Sequence, residues 1–341
     1  MSETALELKI DGDATVMDPL VRCEVVEAYD QLDTLVATFA VHHHSDPALG
    51  EKLVVGLPYE VALKSDGTAV TTLKGDIIEV RHVRRAGRHR VTVVGLDSLH
   101  RLSDKHAPAQ IWDVTHDQIV SEIASRNGLT GSAEGVDGTA GELLQNEGSD
   151  ALFLKKLAAE NNYFVRVEDT ELVFGRKQGS GSVTIDYADE PAMDIEQVTC
   201  LDGIVTKVTV HGSDYVQDEA FTGESTSSDL QVISGGDTGV AKVNDLVGAR
   251  ELILNQSGYG DASRATARAK AEMLARAERF LRGSVWVRGN PDAHSGKTVT
   301  ITGAGWPLDG TFLIRQTAHV HDAHGYRTRI DFVSDSLPSK S

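Results

Sequence analysis

The chain has 341 residues, 40% of them hydrophobic, 5% aromatic and 25% charged, with a formal net charge of -18. That length allows two or more cores, and that composition excludes a disordered chain. The acidic balance disfavours attraction to phosphate backbones, so no sequence-specific nucleic-acid binding is expected.

Apolar runs such as residues 35–41 fall far short of the roughly 20 residues that cross a bilayer, so no membrane insertion by the chain itself is expected. The start, MSETALELKI, has neither the basic opening nor the continuous apolar stretch of a secretory signal, which predicts a chain that stays in the cytosol where it is made. Cys23 and Cys200 show no CxxC spacing, and each reads as a structural thiol.

The first hundred residues alternate apolar and polar positions in short runs, the pattern of half-buried strands. Strands are predicted at 6–10, 21–28, 35–41, 59–64, 77–83 and 89–95, with Asp66-Gly67 as a tight turn between two of them. The basic stretch 81–90, RHVRRAGRHR, reads as a solvated hairpin or a protein interface.

Helical signals begin at Thr115, which with Gln118 has capping-box spacing. Ile119, Val120, Ile123 and Ala124 share one face, and Gly128 suits a left-handed end after Asn127. A second helix is predicted after Ser149, with Asp150 at the positive end of its dipole and Phe153, Leu154, Leu157 and Ala158 buried. It stops near Asn161 and Asn162, and residues 163–174 then read as a hairpin turning at Asp169-Thr170.

Residues 175–182 are rich in glycine, serine and charge and mark a boundary, after which strand patterns resume over 183–211. Residues 223–239 are dominated by Ser, Thr, Gly and Asp and are expected to form an exposed loop. The clearest helix is predicted over 263–281, with Ala265, Ala269, Met273 and Ala277 on its apolar side. The strand-like segments VWV, TVTIT, TFLIRQTAHV and YRTRIDFV complete the chain.

These elements predict an α+β fold with two barrel-like antiparallel β domains and helical α/β insertions. The expected division is a first β domain at 1–104, a two-helix-and-hairpin insertion at 105–182, and a second β domain at 183–214 plus 283–341. A loop and helix insertion occupies 215–282.

Candidate chemistry is thin. His42, His43 and His44, near Asp46, alternate across a strand, so at most two could converge on one ion. His319 and His321 would share one strand face, with Asp322 and His324 nearby, but the segment 322–325 reads as a hairpin turn and supplies no further matched ligand. Asp11-Gly12-Asp13 lacks the ordered oxygen ligands of a calcium loop, and Gly303-Ala304-Gly305 precedes Trp306-Pro307, not a helix, which is wrong for a dinucleotide loop. There is no GxSxG elbow and no HExxH helix. No catalytic, cofactor-binding or metal site is predicted, and the chain is not expected to be an enzyme.

Several segments taken in order resemble the phage late control protein D family and the related amino-terminal part of valine-glycine repeat spike proteins. They are LKGDIIEV at 73–80, VVGLDSLHRL at 93–102, WDVT at 112–115 leading into IVSEIA at 119–124, and QNEGSD at 145–150 leading into FLKKLA at 153–158. The last is WPLDGTFLI at 306–314, continuing through His319 to GYRT at 325–328. Together they span roughly residues 73–333.

The resemblance implies a homotrimer whose two β domains per chain make a pseudo-sixfold ring. It implies a baseplate hub between the inner tube protein ring and a spike, with baseplate wedge proteins at the periphery. The sequence ends soon after Phe332-Val333, where spike fusions would continue, so a separate spike protein is expected. The implied location is the baseplate of a phage tail, a tail-derived bacteriocin or a contractile injection particle assembled in a bacterial cytoplasm. The alternatives of a cell-wall-degrading tail-tip enzyme and a surface-binding module stay open at this point.

Overall fold

The computed structural model describes residues 3–340 apart from 30, 42–51, 105–108, 135, 137–141, 147, 178–180, 190–193, 215–218 and 257–260. His42, His43, His44 and Asp46 therefore lie outside the described residues.

The alternating amino-terminal segments fold as β1 (Thr4–Ile10), β2 (Leu20–Ala28), β3 (Thr34–Val41), β4 (Pro58–Ser65), β5 (Thr68–Arg85) and β6 (Arg88–Asp97). Their inward positions, including Leu8, Phe39, Val61 and Val91, form one core. Asp66 and Gly67 take φ of 48° and 77°, the left-handed pair that closes the β4–β5 hairpin. β5 runs past the predicted strand at both ends, and its distal half pairs with β6 as an arm in which residues 81–88 are all exposed.

The next stretch holds α1 (His100–Asp104), β7 (Gln110–Asp113), α2 (His116–Arg126), β8 (Thr130–Glu134), β9 (Glu142–Gln145), α3 (Asp150–Asn161), β10 (Tyr163–Glu168) and β11 (Glu171–Arg176). α2 opens as its sequence predicts: Thr115 is the N-cap, and its backbone N–H donates to the Gln118 side chain at 3.2 Å. Ser149 caps α3 by accepting from Leu152 N, and Asn162 ends it at a φ of 56°. Ile119, Leu154, Leu157 and Phe174 share a second core. The short strands β7, β8 and β9 escape the sequence reading because segments of four or five residues carry too few alternations to register.

The remainder comprises β12 (Ser182–Asp186), β13 (Asp194–Thr199), β14 (Lys207–Asp214), β15 (Glu219–Thr226), β16 (Gly235–Thr238), α4 (Gly239–Val247), β17 (Glu251–Gln256) and α5 (Ala262–Ala277). β18 (Leu281–Arg288), β19 (Thr298–Thr302), β20 (Gly310–Asp322), β21 (Gly325–Ser334) and β22 (Ser336–Pro338) follow. A third core gathers Val285, Ile301, Phe312 and Phe332 with the apolar side of α5. Phe312 and Phe332 stack with ring centroids 4.6 Å apart.

Two expectations are corrected in this part. The stretch 223–239 is not an open loop: it holds the second half of β15, a short 3-10 helix and β16, and Ser225 and Ser234 are buried. Its backbone is tied down from a distance: the Asp335 carboxylate accepts the backbone N–H groups of Gln231, Val232 and Ile233 at 3.1, 2.9 and 2.8 Å. The long helix ends at Ala277, not at residue 281, because Leu281 is drawn into β18, opposite Thr199 on one side and Ser334 on the other. Glycine has a specific task where α5 crosses β15: a Cβ on Gly223 would sit 2.2 Å from the Ala265 carbonyl carbon, so only glycine permits that approach.

A sheet of twelve strands runs through the molecule in the order β1-β4-β5-β6-β3-β2-β20-β21-β18-β13, with β19 joined to β20 and β12 to β19. All neighbours in the main order are antiparallel, as is β19–β20, while β12–β19 is parallel; β8–β11 and β14–β17 are parallel pairs of two smaller sheets. The class is α+β and rich in antiparallel strands. β2 and β20 form the seam at which the amino-terminal strands meet the carboxy-terminal ones.

Candidate functional site

At that seam the register decides which side chains meet. Val25 pairs with His319 and Glu27 with Thr317, so Glu27 and His319 are diagonal neighbours on one face of adjacent strands. β21 sets Thr328 opposite His319. The loop between β18 and β19 brings in His294, 267 positions away from Glu27. Glu27 is 4% exposed and His319 fully buried.

The Glu27 carboxylate lies 2.8 Å from His294 Nδ1 and accepts from the Thr317 hydroxyl at 3.4 Å. His294 Nε2 lies 2.9 Å from the Thr71 hydroxyl of β5. His319 Nδ1 is 2.8 Å from the Tyr326 hydroxyl and 3.3 Å from that of Thr328. His319 Nε2 is buried and has no hydrogen-bond partner among the described residues. One ligand atom from each of Glu27, His294 and His319 lies within 4.8 Å of those of the other two.

Electrostatics at the seam follow from burial and this pairing. Burial works against ionisation of Glu27, but His294 and His319 outweigh it and bring the carboxyl down to about 2. Burial depresses His294, yet the Glu27 charge overrides it and the net direction is upward. Burial dominates at His319 and lowers it to about 4, so this imidazole is neutral at pH 7.

A cavity of about 360 Å³ adjoins the cluster, lined by Glu27, His294, Asp33, Asp97, Tyr59 and Arg166 among others. Asp97 accepts from the backbone N–H of Asp33 at 3.1 Å and of Leu99 at 3.0 Å, and burial raises its carboxyl to about 6. Asp33 is also raised, by burial first and then by the Glu27 and Asp97 charges. Arg166 of β10 is the guanidinium among the residues lining the cavity.

Of the residues singled out in the sequence, those that the structure describes fall elsewhere, with one exception. His319 joins Glu27 and His294, not His321, Asp322 and His324. His321 pairs across the sheet with Cys23 and Tyr326, and Asp322 clamps its hairpin by accepting from His324 N at 2.8 Å and Arg327 at 2.9 Å. The His324 side chain is 78% exposed. Asp13 caps the 3-10 turn at Thr15 and pairs with Lys52 at 2.7 Å. Gly303 and Gly305 sit in a turn at φ of 77° and 86°. Cys23 and Cys200 are free thiols, and burial pushes Cys23 up to about 12. Nothing local in the sequence marks Glu27 or His294, since neither has a histidine or acidic partner of the cluster near it in the chain.

The fold is that of phage tail proteins. The 43 kDa tail protein of prophage MuSo2 from Shewanella oneidensis matches with a TM-score of 0.72 at 14% identity, covering 98% of this chain and 100% of that one. A tail protein from Neisseria meningitidis MC58 matches with a TM-score of 0.68 at 16% identity, covering 97% of each chain. The E. coli c3393 protein, a component of the type VI secretion system, matches with a TM-score of 0.56 at 12% identity over 98% of this chain and 79% of that one.

By sequence the chain belongs to the family described as the Alg8 N-terminal domain, which it matches over residues 46–322. That is not the late control protein D family to which the ordered segments pointed. No curated protein matches the chain in sequence.

Proposed function

We propose that the chain is a structural, non-enzymatic baseplate hub of a contractile tail or injection machine, of the late control protein D kind. In this reading it is a homotrimer that joins a separate trimeric spike to the hexameric inner tube, with wedge proteins at its periphery. The observation that carries the reading is the end-to-end likeness to a phage tail protein, 98% of one chain against 100% of the other.

The same reading divides the chain into β domains at 1–104 and at 183–214 plus 283–341, with insertions at 105–182 and 215–282. The separate core of residues 99–174 supports the first insertion, and the largely amino-terminal core, joined by Tyr326, supports the first β domain, while α4 and α5 share their core with the carboxy-terminal strands. Three copies with two β domains each supply six similar units, which is what a sixfold tube requires of a threefold hub.

Docking surfaces are available. Ile111 and Leu144 pair across β7 and β9 and are 65% and 49% exposed, and Leu246 and Val247 at the end of α4 are 72% and 58% exposed. The β5–β6 arm carries Arg81, Arg84, Arg85, Arg88 and Arg90 on a chain of net charge -18, so it suits an acidic surface such as that of a neighbouring copy.

The raised carboxyls of Asp33 and Asp97 beside a cavity favour the second reading, a cell-wall-degrading enzyme. Asp97 is already held by two backbone N–H groups, the geometry of a turn cap and not of a group free to donate a proton. Mass measurement under native conditions tests the hub: a trimer is expected, weakened by Arg84→Glu with Arg88→Glu. A monomer at high concentration that recruits neither tube nor spike sinks it, and release of cell-wall fragments lost in Asp33→Asn establishes the alternative.

A further inference from the structure

We propose that Glu27, His294 and His319 bind one divalent transition-metal ion of the zinc class, through a carboxylate oxygen, His294 Nδ1 and His319 Nε2. The ligand atoms lie within 4.8 Å of one another, so small side-chain rotations bring them to the roughly 3.4 Å separation that a tetrahedral ion with bonds of about 2.1 Å requires. This inference is independent of the hub reading.

Three features favour an ion over a simple buried acid–base pair. The first is orientation. Metal-bound histidines donate their second ring nitrogen to an acceptor that fixes the ring, and both histidines here have such a partner: Thr71 for His294 Nε2 and Tyr326 for His319 Nδ1. The second is the unfilled group. A Glu27–His294 pair leaves His319 Nε2 buried with no hydrogen bond of good geometry, although the Ala293 backbone also acts on the ring, whereas an ion uses its lone pair. The third is charge. Glu27, Asp33, Asp97, Glu168 and Asp169 line one cavity with Lys74, Arg166 and Lys297, five carboxyls to three cations, and a dication next to Glu27 favours the ionised form of the carboxyls that burial raises.

Two imidazoles with one carboxylate select zinc-like ions over calcium or magnesium, which prefer all-oxygen shells. The adjoining cavity supplies an entry path and a water for the fourth position. Binding releases the proton shared by Glu27 and His294 to solvent as His294 Nδ1 turns its lone pair to the ion. The ion ties β2, β20 and the β18–β19 loop together, and so joins the amino-terminal strands to the carboxy-terminal ones.

The test uses the full-length, tag-free protein stripped with a chelator and titrated with Zn2+, with metal content read after gel filtration. One Zn2+ per chain is expected, with a rise in Tm that EDTA reverses. Co2+ should give the visible d–d absorption of a four-coordinate site. The triple variant His42→Ala, His43→Ala, His44→Ala should keep that ion, while Glu27→Gln and His319→Gln should each lose it. Thr71→Val, which touches no ligand atom of the ion, should weaken binding ~10-fold or more.

Wild-type protein that retains no zinc and shows no change in Tm overturns the proposal. So does a triple variant that loses the ion, which would put it on residues 42–44. So does equal affinity in wild type and the Glu27→Gln, His319→Gln double variant. If His319→Gln does not fold, the wild-type titration and Thr71→Val still decide.

Discussion

Asp150 and Glu27 are both buried carboxylates, 4% exposed each, yet their surroundings differ in one respect. Asp150 is saturated. It accepts from Arg126 Nε at 2.9 Å, Asn127 Nδ2 at 2.9 Å and Gln145 Nε2 at 2.8 Å, and Gln145 in turn accepts from the Trp112 indole at 3.0 Å. Glu27 has one short contact, to His294, and a weak one to Thr317, with an unpartnered imidazole nitrogen beside it. A closed network holds β7, α2, β9 and α3 together and needs nothing further, whereas an open one is where a ligand can enter.

The largest effect should come from breaking the closed network. Asp150→Ala strips Arg126, Asn127 and Gln145 of their acceptor and should cost about 3 kcal/mol. Hydrogen exchange should place the loss in residues 100–176 and leave the sheet protected. Its pH dependence has a definite sign. Burial opposes the charge of Asp150, but the Arg126, Gln145 and Asn127 hydrogen bonds outweigh it and hold the carboxyl below its ordinary value. The stabilisation is therefore complete above about pH 4, the range of an unperturbed carboxyl, and is lost as pH falls through the lower folded value. Asp150→Asn should flatten stability across that acid window, and an unchanged acid transition would show that Asp150 does not control it.

Asp335 offers an intermediate case, saturated by three backbone N–H groups and no side chain. Asp335→Ala should cost about 2 kcal/mol by leaving those donors buried. Exchange protection should fall in residues 227–238, and protection that persists there would mean that β16–β22 pairing alone holds the segment.

Glu27→Gln should have the smallest effect, about 1 kcal/mol in metal-free protein, because the amide keeps an oxygen to face His294 in a network that is incomplete already. Chemical denaturation compares the two sites directly. A loss at Glu27 as large as that at Asp150 would show the seam to be as tightly closed as the helical region, and would erase the contrast.

How much of this is visible before folding depends on the distance over which each signal acts. The capping box at Thr115 and Gln118, the helix start after Ser149 and its stop near Asn162, the left-handed Gly128 and the Asp66-Gly67 turn are all local, and each forms as its residues predict. The segment 223–239 misleads for the converse reason. Its polar composition imitates a loop, while its hydrogen-bond partners Asp335 and Ser336 lie about a hundred positions further on.

By itself the sequence determined the order and type of most strands and helices, the apolar sides that form three cores, and the ordered segments that point towards tail proteins. Periodicity, caps and turns act over a few residues, and these are properties of the local chain. Only the tertiary structure decided where α5 ends, that β2 and β20 are neighbours, and that His319 meets Glu27 and His294 and not His321. Those outcomes rest on strand register and on a loop that returns after 267 positions, and no local pattern carries that information.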